Sequence, residues 1–291
     1  MSANSPARRL LKRILFPRVG ARAYRYIQAV AKAWDIATGA WSETELDLIP
    51  LAVRPGDSAI DIGANYGLYS FHLSRAVGRS GRVHAFEPVP STHAALSLIS
   101  RFLRLRNVDL IAKGCSTERG CITFALPVQP SGAIIAGLVH QASRDDDRAG
   151  RERHEAAFPT SEIVCDVVAI DDFLPDLSRV SFIKCDIEGA ELLALRGARK
   201  TIEIHHPTVV CEINPWYMEG FGIRLEDLAG FFRERGYAMY RYAASRGRRC
   251  LTPAAVEGIV PANYVFLHPD RLCSLAAVIA SPERPEVRAA A

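Results

Sequence analysis

Ser58-Ala-Ile-Asp61-Ile-Gly63-Ala-Asn65-Tyr-Gly67 runs from an apolar strand into a glycine-containing turn, and a helical pattern follows it. Tyr69, Leu73, Ala76 and Val77 fall on one face of that helix, and Gly78 predicts its end, because glycine accepts the left-handed conformation just past a last turn. The same alternation extends outward. Val83–Glu87 predicts a second strand, and the following helix has its apolar face at Leu96, Ile99 and Leu103, with Ser91 as a candidate cap. Val108–Ala112 and Cys121–Leu126 predict further strands, followed by Ile163–Val168, Val180–Asp186 and Thr208–Ile213. Leu192–Ile204 reads as a helix, and so does the segment carrying Leu225, Leu228, Ala229 and Phe232 before Gly236. Tyr237–Tyr242 and Asn263–Leu267 close the series as aromatic-rich strands. Strands alternating with helices predict an α/β fold with a doubly wound, mostly parallel sheet and helices on both faces. Ligands of such sheets bind beyond the carboxyl ends of the strands, near the point where strand order reverses. That directs attention to Asp61, Glu87, Asp186 and Glu212, each near the end of a strand.

The turn at Gly63–Gly67 has the spacing G-x-x-x-G rather than the G-x-G-x-x-G of a pyrophosphate loop. Asp61 just ahead of it would repel a phosphate and favour a positive centre. S-adenosylmethionine, with an ammonium, a sulfonium and no phosphate, suits those features. Glu87, 20 residues beyond Gly67 at the end of the next strand, is placed to accept hydrogen bonds from both ribose hydroxyls of a nucleoside, and Pro88 turns the chain away beside it. A second signal is Phe182-Ile-Lys184-Cys-Asp186-Ile-Glu188-Gly189-Ala-Glu191. Lys184 and Asp186 are two apart in a strand, so they share a face, and an ion pair between them is expected. Asp186 and Glu188 then lie at the sheet mouth, Glu191 complements the dipole of the next helix, and Glu212 adds a carboxylate to the same rim.

These blocks resemble the FkbM-type family of S-adenosylmethionine-dependent methyltransferases. The resemblance rests on Asp61–Gly67, Ala85-Phe-Glu-Pro88, Ala169-Ile-Asp-Asp-Phe-Leu174, Phe182–Glu191, Leu195-Arg-Gly-Ala198 and Val209-Val-Cys-Glu212, in order over roughly residues 55–240. It implies a Rossmann-like sheet of seven strands and methylation of a hydroxyl oxygen, often on a sugar or a secondary metabolite. By position, Asp61, Gly63, Ala64, Asn65 and Gly67 would line the methionine part of the cofactor and Glu87 its ribose. The exit of the third strand, Ala112-Lys-Gly-Cys115-Ser116, lacks the aspartate many methyltransferases set against the adenine amine, which leaves Cys115 and Ser116 as candidates there. Methyl transfer to a neutral alcohol calls for a base, with Asp186 first, Glu188 second and Glu212 third. No metal is assigned, although the same three carboxylates offer oxygen ligands of the kind magnesium takes. His205 and His206 precede Pro207 at the start of a strand, away from the mouth, and read as surface or capping residues. Trp216, Tyr217 and Phe221 are either core residues or a stacking surface for an acceptor. The competing functions are a non-catalytic nucleoside-binding module acting through a basic N-terminus and a dinucleotide-dependent oxidoreductase, the latter disfavoured by the glycine spacing.

Composition sets the outer limits. The 291 residues are 49% hydrophobic and 23% charged, as in a folded globular chain, and no apolar run approaches the ~18 residues of a bilayer span. Seven cysteines include no C-x-x-C pair, which argues against a zinc site or a disulfide framework and for a cytoplasmic setting. Net charge is +4, yet the first 34 residues carry eight basic side chains and no acid, which leaves the remainder at −4. A nucleic-acid partner is therefore not indicated. Residues 1–45 read as a basic, helical extension, with Leu10, Leu11, Ile14 and Leu15 and then Tyr24, Ile27 and Ala31 at helical spacing. Through residues 7–33 it either packs on the core or meets a partner or an anionic membrane at the inner face. Residues 46–270 form the methyltransferase-like domain, interrupted over 127–160 by a charged, proline-flanked insertion that reads as a surface loop or a lid holding His140. Residues 271–291 read as a flexible tail. A small-molecule or glycan acceptor is the expected substrate, and oligomeric state is not legible.

Overall fold

The structure, a computed structural model, describes residues 23, 26–127, 140–141, 160–245 and 248–279. Helix α1 (26–37) precedes a 3-10 turn at Thr44–Leu48 and the short α2 (Ile49–Ala52). Then follow β1 (Ser58–Ile62), α3 (Leu68–Val77), β2 (Arg82–Phe86), α4 (Pro90–Leu103), β3 (Val108–Ile111), β4 (Gly114–Cys115), β5 (Gly120–Pro127), β6 (His140–Gln141) and β7 (Thr160–Val168). The second half holds α5 (Ile170–Phe173), β8 (Val180–Cys185), α6 (Glu191–Gly197), α7 (Arg199–His205), β9 (Thr208–Ile213), α8 (Pro215–Glu219) and α9 (Leu225–Arg233). It closes with β10 (Ala238–Ser245), β11 (Arg248–Pro253), β12 (Ala262–Leu267) and α10 (Pro269–Leu275).

The main sheet runs β11-β10-β12-β9-β8-β1-β2-β3. Its five strands from β9 to β3 are parallel, and β12, β10 and β11 pair antiparallel at the other side. Seven strands are expected from the sequence; the eighth, β11, is an edge strand paired with β10 from Tyr240–Pro253 to Ser245–Arg248. Every residue of β1 and β8 is buried, as parallel strands covered on both faces require. Alternate residues feed two cores. Ile60, Ile183, Val209 and Phe266 pack with α6, α7 and α9 on one face; Ala59, Phe182, Val210 and Val265 pack with α1, α3 and α10 on the other.

Strand order reverses between β1, which continues to β2 and β3, and β8, which continues to β9. The loops after β1 and β8 therefore leave the sheet side by side, and the amide of Asp186 donates to the carbonyl of Ile62 at 3.0 Å.

Three further features differ from the sequence reading. The Cys121–Leu126 and Ile163–Val168 segments join a separate four-stranded sheet, ordered β4-β7-β5-β6, in which β5 and β7 pair antiparallel from Gly120–Val167 to Pro127–Thr160. Most of the 127–160 insertion lies outside the described residues, but that pairing brings its two ends together. The single helix expected over Leu192–Ile204 is two, broken at Ala198. Asp171 accounts for the second start: its carboxylate accepts the amides of Lys200 and Thr201 at 2.7 and 3.0 Å and the Thr201 hydroxyl at 2.7 Å. Finally, α10 and a 3-10 turn occupy the beginning of the expected tail, with Leu275 fully buried and Ile279 bridging Leu251; residues 280–291 lie outside the described ones. Among the described residues no helix is long and apolar enough to cross a membrane.

Candidate active site

The cavity opens where strand order reverses. Its lining includes Asp61, Gly63, Ala64 and Asn65 from the first loop, Glu87 and Pro88 from the end of β2, Cys115 from β4, and Lys184, Asp186 and Glu188 from the end of β8. Ten residues singled out from the sequence thus meet in one place. Gly67 does not line it: it takes φ +83° as the left-handed residue ahead of α3. Ser116 does not line it either. Its carbonyl packs so closely on Gly197 that a Cβ there would not fit. Glu212 is also outside the lining and reaches the site through Asp186.

The loop geometry explains its glycine. Gly63 has φ +80°, and a Cβ at this position would run into the carbonyl oxygen of Asp186, so only glycine lets the two loops approach this closely. Glu87 pins the same loop. Its Oε2 accepts the amide of Asn65 and its Oε1 the amide of Val89, both at 3.0 Å. Burial pushes the Glu87 carboxyl up to about 7 against the lowering effect of those two amides. Each oxygen keeps a further lone pair. Burial likewise raises Asp61 to about 6, although the Ser70 hydroxyl donates to it at 2.6 Å. Beside them, the side-chain oxygen of Asn65 is buried and without a partner.

The second loop is organised by Lys184, which is 1% exposed. Its ammonium lies 3.2 Å from Asp186, the ion pair expected from the sequence, and donates to Asn263 Oδ1 at 2.6 Å. Asn263 in turn donates to Glu43 at 3.3 Å and Glu45 at 3.5 Å, and the Tyr69 hydroxyl donates to Glu43 at 2.9 Å. Burial alone would lower the Lys184 pKa; the charges of Asp186, Glu43 and Glu212 reverse this and raise it. For Asp186 burial raises the pKa, but Lys184 and the hydrogen bond with Glu212 outweigh it, so the group is held below its ordinary value. Glu212 is pushed up to about 9, first by that hydrogen bond and then by burial and the charge of Asp186. Glu188, at φ +56°, is raised to about 8 by burial and by the charges of Asp186 and Glu191.

Trp41, Glu43 and Tyr69 also line the cavity and were not singled out as site residues. Tyr69 shows in the sequence only as part of an apolar helix face, and no local motif marks Trp41 or Glu43, which reach the site through tertiary packing. Phe221 lines the cavity, whereas Trp216 and Tyr217 do not and meet each other edge-on at 5.0 Å. Among the described residues, the metal-capable group with all ligand atoms within 4.8 Å is His206, His268 and Asp270. Asp186, Glu188 and Glu212 do not meet that spacing. His206 sits at the start of β9, opposite the mouth, as expected; it ends α7 at φ +45° and stacks on His268.

A family model described as the methyltransferase FkbM domain matches residues 61–239. The chain belongs to that family. Methyltransferase 1 of Beauveria bassiana (strain ARSEF 2860) is 33% identical over 155 residues, which are 50% of this chain and 61% of that protein. Methyltransferase sdnD of Sordaria araneosa is 26% identical over 203 residues, 62% of this chain and 74% of that protein. The crystal structure of methyltransferase FkbM from Methylobacillus flagellatus KT aligns with a TM-score of 0.44 at 16% identity, covering 88% of this chain and 57% of that one. The chain thus spans less than two thirds of the length of the Beauveria protein and of the Methylobacillus structure.

Proposed function

We propose that this FkbM-family protein uses S-adenosylmethionine to methylate a hydroxyl oxygen of a sugar, glycan or secondary metabolite. The observation that carries the cofactor assignment is Glu87, each of whose oxygens is oriented by one backbone amide and keeps a lone pair for a ribose hydroxyl. Two other features fit the same group. The unpartnered oxygen of Asn65 is an acceptor waiting for a donor. The ionisable side chains of the lining are Glu43, Asp61, Glu87, Asp186 and Glu188 against Lys184 alone; even with Glu188 and part of Glu87 protonated, the balance is negative, which favours a ligand with positive centres and opposes the phosphates of a dinucleotide. When bound, the cofactor supplies an activated methyl group on a sulfonium.

The protein's own contribution is positioning and proton acceptance. Holding two reactants in line supplies about 7–11 kcal/mol in well-oriented systems. Among the carboxylates, Asp186 is already committed to Lys184 and Glu212, which makes it a weak base. Glu212 is pushed well above the ordinary carboxylate range and lies outside the lining. Glu188 lines the cavity and is pushed up to about 8 by burial and its acidic neighbours, so its ionised form is a stronger base than an ordinary carboxylate, near the range in which general bases work best. The reading therefore assigns proton acceptance to Glu188, with Asp186 orienting the acceptor hydroxyl.

Calorimetric titration with S-adenosylhomocysteine tests the cofactor assignment. Glu87→Ala should weaken binding by about 100-fold, the loss of charged hydrogen bonds to two hydroxyls. Unchanged affinity would remove the assignment. With an acceptor in hand, Glu188→Gln should lower kcat by about 10²–10⁴-fold without changing cofactor affinity, and Asp186→Asn should raise KM for the acceptor more than it lowers kcat. The reverse pattern would transfer the base role to Asp186.

A further inference from the structure

Helix α1 turns the wrong face to water. Its inner side, packed on the sheet, is made of the small residues Ala29 and Ala33 together with Ile36. Its outer side carries Tyr26, Ile27, Val30 and Trp34, which are 51%, 41%, 43% and 68% exposed, and the smaller Ala23, Ala31 and Ala37 are exposed as well. At 3.6 residues per turn these positions share one side of the helix. The two charges of the helix are elsewhere: Lys32 lies over the Trp41 ring at 4.1 Å, and Asp35 is buried. The sequence spacing of Ile27 and Ala31 leaves open a core-facing or an interfacial stripe, and in the structure that stripe points outward. An exposed helix face normally carries the polar residues.

The patch continues onto α4. Phe102, 39% exposed, meets Tyr26 edge-on with ring centroids 5.3 Å apart. Phe102 is flanked in sequence by Arg101, Arg104 and Arg106, all exposed and forming no ion pair among the described residues. From Pro88 to Val108 the chain has no acidic residue, and neither has the segment before Asp35, which holds eight basic side chains. Thus the exposed charges that flank the apolar patch in sequence are predominantly positive, Asp35 being buried, while the rest of the protein is net negative.

We propose that the outer face of α1, with Phe102, docks on an anionic lipid bilayer, Trp34 and Ile27 entering the headgroup boundary and the flanking arginines pairing with lipid phosphates. Apolar side chains on one side with basic residues around them are the combination that binds such interfaces. The charge surplus separates this occupant from a second copy of the chain: two such patches facing each other would oppose their arginines. The same helix adjoins the cavity, since Lys32 covers Trp41 and Trp41 is part of the lining.

The full chain should co-sediment with phosphatidylcholine vesicles containing phosphatidylglycerol, far less with phosphatidylcholine alone, and progressively less as salt is raised. Trp34→Ala combined with Ile27→Ala should weaken that binding roughly tenfold or more and leave the urea midpoint unchanged, because both side chains are exposed. Arg101→Gln combined with Arg106→Gln should reduce the salt-sensitive part. Failure of the wild type to bind anionic vesicles, equal binding to both vesicle types, or unchanged binding by the Trp34/Ile27 variant would each overturn the proposal. A concentration-dependent dimer that the same variant abolishes, with no vesicle binding, would assign the face to a second copy instead. None of these readouts depends on the methyltransferase reading.

Discussion

The two loops that meet at the sheet mouth are built alike and do different things. Each follows a central parallel strand, turns at a glycine of positive φ, and is tied down by a buried glutamate that accepts two backbone amides. Glu87 uses one oxygen for each amide, so each oxygen keeps a lone pair, and the residue lines the cavity. Glu191 takes the amides of Ile187 and Gly189 on a single oxygen, at 3.1 and 3.0 Å, and its other oxygen is buried without a partner. Glu191 is absent from the lining. A carboxylate beside a glycine turn is therefore not in itself a binding group. What decides is where its remaining lone pairs point. The loops differ again in what holds their aspartates: Asp61 has a neutral hydroxyl, whereas Asp186 has the Lys184 ammonium.

That last difference gives the largest expected effect. Lys184→Met leaves Asp186, Glu43 and Glu212 in a buried site without their cation, and removing one partner of a buried pair costs about 3–5 kcal/mol. The urea midpoint should fall accordingly, and a loss below about 1 kcal/mol, the range of exposed pairs, would show that the lysine is not the hub of the network. Next comes the contact between the loops. Gly63→Ala places a methyl against the Asp186 carbonyl and a side chain at φ +80°, for a destabilisation of roughly 1–3 kcal/mol together with weakened cofactor binding. Gly222→Ala is the control: its φ is +65° but no atom lies within 4 Å, so it should show only the backbone cost, about 1 kcal/mol.

The difference between local and distant information explains what could be read in advance. Strand positions in the parallel half were legible because their residues are nearly all apolar, and Lys184 and Asp186 were legible as a pair because strand geometry alone puts them on one face. The split at Ala198 was hidden, since its cause, Asp171, lies 29 residues from Lys200 and is joined to it only by folding. Glu43 was hidden for the same reason: its partners Tyr69 and Asn263 are 26 and 220 residues away. The proposed order of bases, with Glu188 ahead of Asp186, rests on proximity too. Asp186 and Glu188 look equivalent as letters in one motif, and only the positions of Lys184 and Glu212 show which is already neutralised.

A pH-dependent effect separates the two glutamates most sharply. Burial raises both Glu87 and Glu191 from an ordinary 4.5 to about 7. Between those values the folded protein holds protons that the unfolded chain has lost, so stability must fall as pH rises from about 4.5 to about 7 and level off above. Glu87→Gln and Glu191→Gln each remove one such titration, and the stability of either variant relative to wild type should improve over that window. The pH slope is informative even though a glutamine introduces a constant offset of its own. Urea midpoints near pH 5 and pH 8 measure it, and a slope unchanged from wild type would mean that the glutamate titrates as an exposed one does. Saturating S-adenosylhomocysteine should then divide the pair. Ribose hydroxyls donating to Glu87 favour its ionised form and lower its pKa, which should erase most of the slope difference for the Glu87 variant. Glu191 has no access to the cavity, so its slope difference should survive ligand unchanged.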